Sequence, residues 1–367
     1  MTLVCAAVYD GAHPGQITVR RFDVPALGPD GELVLRTRLC GICGSDLHRY
    51  RWSNEPPKIL GHEVLGVVER APGGWRAADG TPLQAGDLVV PETRIPCHRC
   101  EYCRGVGSRP QKLLDYSHCP HQRGLGGIPL AEKPLFSGGW SEYVELPAGA
   151  IVHRLPPTLR PEVAVLLDPF SIALKAAHVA GLNDHDTCVI LGPGPIGLLT
   201  VVAAHALGTR RIILAGARGD EARLALGREL GAHATLDVTA GDPVERVRAL
   251  NGGRLATRVI EATGTARAIE LGIDLLARGG VLVTVGGQRA DARVALNPSD
   301  LVARQLDIRG SQLGANHYES CISLLARGAY PFDRLVTHRF PLEQIERALQ
   351  TVEQRGPCIK AVIEFSG

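Results

Sequence analysis

The chain has 367 residues, enough for about two domains and a large core. Hydrophobic residues make up 45% and charged residues 21%, with a formal net charge of +2; this excludes a disordered chain and offers no basic block to follow a phosphate backbone, so no nucleic-acid partner is expected. No apolar run approaches the roughly 20 residues that cross a bilayer, the first residues lack a leader's basic and apolar regions, and the clustered cysteines then read as reduced thiols of a cytoplasmic protein without a membrane partner.

Residues 1–160 read as β-rich, with short runs at 3–8, 17–22, 32–39, 64–69, 88–91 and 142–146 punctuated by Gly, Pro and Asp. No helix of ordinary length is expected there. Inside this region CGICGSDLH and GHE bring together Cys43, Ser45, His48 and His62. Cys43 and His62 are the thiolate and imidazole that suit a catalytic zinc, which needs three protein ligands and keeps one position open, so a third ligand must come from elsewhere. Ser45 and His48 sit where they could carry a proton to or from the bound substrate. Arg49, Tyr50, Trp52 and Trp140 either line a polar pocket or pack as ordinary loop and sheet residues.

IPCHRCEYCRG then spaces Cys97, Cys100 and Cys103 as C-x-x-C-x-x-C, with Cys119 after a longer loop. Four thiolates make a closed structural zinc site. An iron–sulfur centre uses similar spacings, but the usual continuation is absent.

From residue 161 helices alternate with short apolar strands, the pattern of a parallel sheet. PEVAVLLDPFSIALKAAHVAG predicts a helix interrupted near Pro169. Asp168, alone in an apolar run, is either the cap of the helix after Pro169 or the third zinc ligand, and the ligand reading is preferred. TCVILGPGPIGLL supplies strand, turn and helix around Gly192, Gly194 and Gly197, with Pro195 and Ile196 between the last two glycines. In that context the pattern is a dinucleotide fingerprint, its glycines letting a pyrophosphate reach backbone N–H groups at the helix start. Further strands at RIILAG, ATLDV, RVIEATG, GVLVTVGG and LDIRGSQ, with helices at 219–230, 242–250 and 265–277, complete six strands. After the second strand stands Arg218 where NAD enzymes carry an acid, which favours NADP over NAD; alternatively Arg218 is only solvated and Asp220 caps the next helix. The tail predicts a helix, an extended run at 335–340, a second helix and a last strand, CIKAVIEF, that returns to the first domain.

Taken together, these motifs resemble the zinc-dependent medium-chain dehydrogenase/reductase family, alcohol dehydrogenase-like and closest in pattern to its polyol and threonine dehydrogenase branch. The resemblance covers essentially the whole chain. It implies an α/β protein in which a GroES-like β-rich catalytic domain (1–160, with a structural-zinc lobe at about 95–122) joins a Rossmann doubly wound parallel sheet (161–313), with 314–367 returning to the catalytic domain. It further implies Cys43 and His62 as zinc ligands, Glu63 as a carboxylate able to approach the metal, Ser45 and His48 as a proton relay, and Lys360 at the coenzyme pyrophosphate. Asp168 falls where this branch has a Glu before Pro. The spacer between Cys103 and Cys119 is longer than the family's, and is read as an inserted loop. The implied activity is hydride transfer between a nicotinamide coenzyme and a secondary alcohol or ketone of a polyol, sugar or cyclitol, with one catalytic and one structural zinc, in a homodimer or homotetramer. The competing reading is a non-catalytic member that keeps zinc and coenzyme for a structural or regulatory role.

Overall fold

The computed structural model describes residues 2–24, 26–52, 54–104, 116–287, 291–354 and 356–366. Most of the inserted loop expected between Cys103 and Cys119, from 105 to 115, lies outside the described residues. The chain packs as two compact units, Met1–Asp168 with Tyr318–Gly367, and Pro169–His317.

The first unit is built on a seven-stranded sheet in which Leu33–Gly41 is flanked by Glu63–Arg70 on one side and Lys360–Glu364 on the other, both antiparallel to it. Register places Gly41 opposite Glu63 and beside Val362, so the last strand of the chain reaches the strand preceding Cys43. A three-stranded sheet, Ile17–Val24, Thr2–Tyr9 and Lys58–Ile59, and a small pair, Arg94–Ile95 with Arg123–Gly124, complete it. Its core holds Tyr9, Leu33, Leu35, Phe136 and Trp140, apolar side chains whose burial drives the packing of the strands.

One element departs from the expectation that the first region holds no helix of ordinary length. Gly44–Trp52 is a nine-residue helix. Its buried residues are Asp46 and Tyr50, one turn apart on a single face, and of the other residues only Leu47 and Trp52 are large and apolar, so it gives almost no apolar periodicity to read. Asp46 Oδ2 accepts from the Cys43 backbone N–H at 3.0 Å, a side-chain bond that helps the turn form.

The second unit carries a six-stranded, all-parallel sheet in the order Ala234–Asp237, Arg211–Gly216, Thr187–Leu191, Ala256–Glu261, Leu276–Thr284, Asp307–Gly310. In chain order this is 3-2-1-4-5-6, the doubly wound arrangement, whose strand order reverses beside Thr187–Leu191. That strand is buried along its whole length, as a sheet covered on both faces requires. The helical break expected near Pro169 falls earlier: short Pro161–Ala164 ends before Leu167–Ala180 begins. Pro169 sits in the first turn of the longer helix, where its missing N–H costs nothing. A further helix, Pro298–Arg304, was not anticipated; Asn297 caps it by accepting from Ser299 N, and Pro298 is its first residue.

Candidate active site

The strand pairing that puts Gly41 opposite Glu63 also creates room for a buried charge pair. A Cβ on Gly41 would lie 2.0 Å from Glu63 Oε2 and 2.9 Å from Lys360 Cε, so only glycine allows the two side chains to meet across that strand. Glu63 and Lys360 are both buried and form an ion pair, and Lys360 Nζ also donates to the Ile42 carbonyl at 3.0 Å. Lys360 was expected at a coenzyme pyrophosphate. In the structure its ammonium meets Glu63 and Ile42, inside the first unit.

Beside this pair, ligand atoms of Cys43, His62 and Glu63 lie within 4.8 Å of one another. His62 Nδ1 faces Asp46 Oδ1 at 3.1 Å, leaving Nε2 as the nitrogen available to a metal. Burial alone would lower the His62 imidazole, but the Asp46 carboxylate holds it well above its ordinary range. Burial pushes the Glu63 carboxyl up against the pull of Lys360 and His62, and Asp168 stands close enough to add to the rise.

Asp168, expected as the third ligand, does not join this group. Its Oδ1 accepts from Thr93 Oγ1 and from the Tyr318 hydroxyl, which tie it to a loop and to a helix distant in sequence. Nor is it the helix cap of the alternative reading, because it already lies within the first turn of Leu167–Ala180. The third donor gathered with Cys43 and His62 is Glu63. A thiolate, an imidazole and a carboxylate converging in this way fit zinc in its catalytic mode.

Ser45 and His48 are exposed, one helical turn apart on Gly44–Trp52, and the His48 ring meets Trp52 edge-on at 5.0 Å. Tyr50 and Trp140, considered as pocket residues, are buried in the core. Arg49 Nη1 donates to the Gly126 carbonyl at 3.2 Å.

The four lobe cysteines also converge, with ligand atoms within 4.8 Å of one another. Backbone N–H groups of Arg99 and Cys100 lower the Cys97 thiol to about 6, while burial pushes Cys103 up to about 12. A thiolate therefore forms readily at one corner of a four-sulfur cage, the donor set of a structural zinc.

At the second unit's switch point each fingerprint glycine has a distinct reason. Gly192 has φ +100 and a Cβ there would meet Thr263 at 2.7 Å, while a Cβ on Gly197 would lie 1.8 Å from the Gly192 carbonyl. Gly194 faces open space, where a Cβ would find nothing within 4 Å, and precedes Pro195, the first residue of the helix Pro195–Ala206, whose start has no side-chain cap. Ile196 follows in the same turn, and its carbonyl accepts from Thr200 Oγ1 at 2.7 Å. The uncapped N–H groups and the missing side chain at Gly194 suit a pyrophosphate. Arg218 is exposed beyond Arg211–Gly216. Asp220 does not cap the next helix with its side chain; its Oδ2 accepts from Ala217 N at 2.9 Å.

Sequence reasoning missed Asp46, Thr93 and Tyr318. Asp46 was within reach, being a carboxylate three residues after Cys43 in the same motif. Thr93 and Tyr318 lie 75 and 150 residues from Asp168 and carry no local signal.

The model of the alcohol dehydrogenase GroES-like domain matches residues 29–157, and that of the zinc-binding dehydrogenase matches 195–327. The chain is 31% identical over 370 residues to erythritol/L-threitol dehydrogenase of Mycolicibacterium smegmatis, covering 97% of this chain and 96% of that one. It is 30% identical over 358 residues to sorbitol dehydrogenase of Bacillus subtilis, covering 95% and 94%. A solved structure of a zinc-binding dehydrogenase candidate from Sinorhizobium meliloti 1021, bound to NADP, superposes with a TM-score of 0.86 at 28% identity and full coverage of both chains. Among the described residues no helix is long and apolar enough to cross a membrane. The chain belongs to the zinc-type medium-chain dehydrogenase/reductase family, in its polyol branch, and is an oxidoreductase.

Proposed function

We propose that this enzyme oxidises a secondary hydroxyl of a polyol or related sugar alcohol, or reduces the corresponding ketone, with NADP rather than NAD as hydride partner. The observation that carries the reading is the convergence of Cys43, His62 and Glu63 beside the helix that bears Ser45 and His48, in a chain related to enzymes named for erythritol, threitol and sorbitol. Zinc held there would supply Lewis acidity to the substrate oxygen, and the nicotinamide would accept or return the hydride.

The chain's own residues do the positioning. Asp46 fixes the His62 ring and Lys360 fixes Glu63. Asp168, held by Thr93 and Tyr318, remains a second carboxylate near Glu63. Ser45 takes the proton of the reacting hydroxyl and His48 exchanges it with water, a role that their exposure on one helix supports. Cys97, Cys100, Cys103 and Cys119 hold the structural zinc. The start of Pro195–Ala206 receives the pyrophosphate, and Arg218 receives the 2′-phosphate that distinguishes NADP.

The ten free cysteines support a reducing, cytoplasmic setting. The outer strand Asp307–Gly310, exposed at all four residues, supports assembly into a homodimer or homotetramer. The test is turnover of a panel of polyols, sugars and aminocyclitols with each coenzyme. NADP-linked turnover of at least one polyol is expected; activity confined to simple monoalcohols, or to NAD, would overturn the substrate or the coenzyme part respectively.

A further inference from the structure

The six-stranded sheet has a second end. The fingerprint turn follows the last residue of Thr187–Leu191, but a cavity of about 580 Å³ opens where the strands begin, reached by Thr187, Thr257 and Leu276. A five-residue strand separates the two ends by roughly 15 Å. The cavity belongs wholly to the second unit and contains none of the residues assigned above.

Its walls carry Arg210, Arg248, Arg254, Arg278 and Arg304. The carboxylate in the lining is that of Asp300, which accepts from Arg304 Nη1 at 2.7 Å. In a chain whose formal net charge is only +2, this is a concentration of positive charge. Three of these guanidinium groups are held by neutral oxygens. Arg210 Nη2 donates to Thr187 Oγ1 at 3.0 Å, Arg248 Nη1 to the Gly253 carbonyl at 3.3 Å, and Arg278 Nη1 to the Ala303 carbonyl at 2.5 Å. Arg248 also faces Glu245 at 3.5 Å, but that carboxylate is 69% exposed and well screened. Carbonyl and hydroxyl partners fix a guanidinium without cancelling its charge.

The wall that presents Arg254 is itself braced. Asn251 is buried, and its Nδ2 donates to the carbonyls of Arg254 and Leu255, each at 3.1 Å. Like charges gathered in a concave site repel one another, and a multivalent oxyanion relieves that repulsion. Planar guanidinium forks match phosphate oxygens in pairs.

We infer that this cavity binds a phosphate group, free or carried by a small molecule, at the end of the sheet opposite the coenzyme fingerprint. The experiment is calorimetric titration of the whole protein, first saturated with nicotinamide dinucleotide so that the fingerprint helix is occupied. Inorganic phosphate and glycerol 3-phosphate are titrated separately at an ionic strength held constant with chloride. Saturable binding is expected, weakened roughly tenfold or more in Arg254→Ala or Arg278→Ala, as loss of a charge-assisted contact implies. Both variants should keep wild-type turnover and wild-type melting temperature in phosphate-free buffer. Tighter binding of glycerol 3-phosphate would identify a phosphorylated small molecule as the ligand, and tighter binding of inorganic phosphate the free anion. Binding unchanged in both variants, or no binding beyond that of chloride, would overturn the inference.

Discussion

The Asp46 carboxylate stands 3.1 Å from the Nδ1 of His62 with one oxygen and receives the Cys43 backbone N–H at 3.0 Å with the other. A single buried side chain therefore orients both the imidazole and the turn that presents the thiol. Such carboxylate–imidazole pairs set the ring's tautomer and basicity toward a metal. Asp46→Ala should lower zinc affinity or turnover by about 10- to 100-fold. Metal analysis after dialysis, together with kcat, checks this; wild-type values for both would leave Asp46 as a helix residue and no more.

The two metal groups should respond differently to mutation. Protein as isolated should carry about two zinc ions per chain. Cys43→Ser should lose one of them along with turnover while keeping most of its thermal stability. Cys100→Ser should lose the other and melt at a lower temperature, because the four-sulfur cage holds a segment whose helix Glu101–Arg104 buries none of its residues. Unchanged metal content in both variants would refute both sites.

The fingerprint glycines predict a separation of stability from coenzyme binding. Gly197→Ala drives a Cβ to 1.8 Å from the Gly192 carbonyl and should destabilise the second unit, seen as a lower melting temperature without coenzyme. Gly194→Ala meets nothing in the protein, so its melting temperature should hold while the coenzyme KM rises. Equal effects on both measures in both variants would contradict the assignment.

Coenzyme preference tests Arg218. Loss of a charge-assisted bond to phosphate costs about 1.5–3 kcal/mol, so Arg218→Asp should shift the NADP-to-NAD ratio of kcat/KM by roughly ten- to a hundredfold toward NAD. A ratio unmoved by the substitution would return Arg218 to the role of a solvated loop residue.

A pH-dependent clamp lies elsewhere in the first unit. The buried His153 has Nδ1 at 2.6 Å from Glu319 Oε1 and Nε2 at 2.9 Å from Glu92 Oε1, with Tyr318 stacked on its ring at 4.7 Å. Burial would lower the imidazole, but the bonds to Glu319 and Glu92 carry it above its ordinary value. The folded protein thus holds this proton more tightly than the unfolded chain. The stabilisation is fully present below the unfolded value of about 6.5 and is lost as pH rises through the higher folded one. The melting-temperature gap between wild type and His153→Gln should accordingly be larger at pH 6 than at pH 9; a gap independent of pH would mean that the ring stays neutral.

Local chemistry explains what is legible in the chain alone. The spacing of Cys97, Cys100 and Cys103 and the glycines between an apolar strand and a helix each encode a geometry within a few residues, and Cys43 and His62 stand in two short motifs close along the chain. Six strands alternating with helices likewise announced the parallel sheet, because burial on both faces leaves continuous apolar runs such as TCVIL. The helix Gly44–Trp52 escaped because its two buried side chains, Asp46 and Tyr50, leave no apolar stripe.

By itself, then, the sequence determined the family, the two metal-binding motifs and the dinucleotide turn. Only the tertiary structure decided which carboxylate stands with Cys43 and His62. Glu63 follows His62 directly and Asp168 stands alone in an apolar run, local settings that leave both carboxylates as candidates. The choice was made by residues remote along the chain: Thr93 and Tyr318 hold Asp168, while Lys360, on a strand laid beside Gly41, holds Glu63 at the thiol and imidazole. A buried carboxylate goes where its partners are, and those partners become neighbours only when the sheet forms.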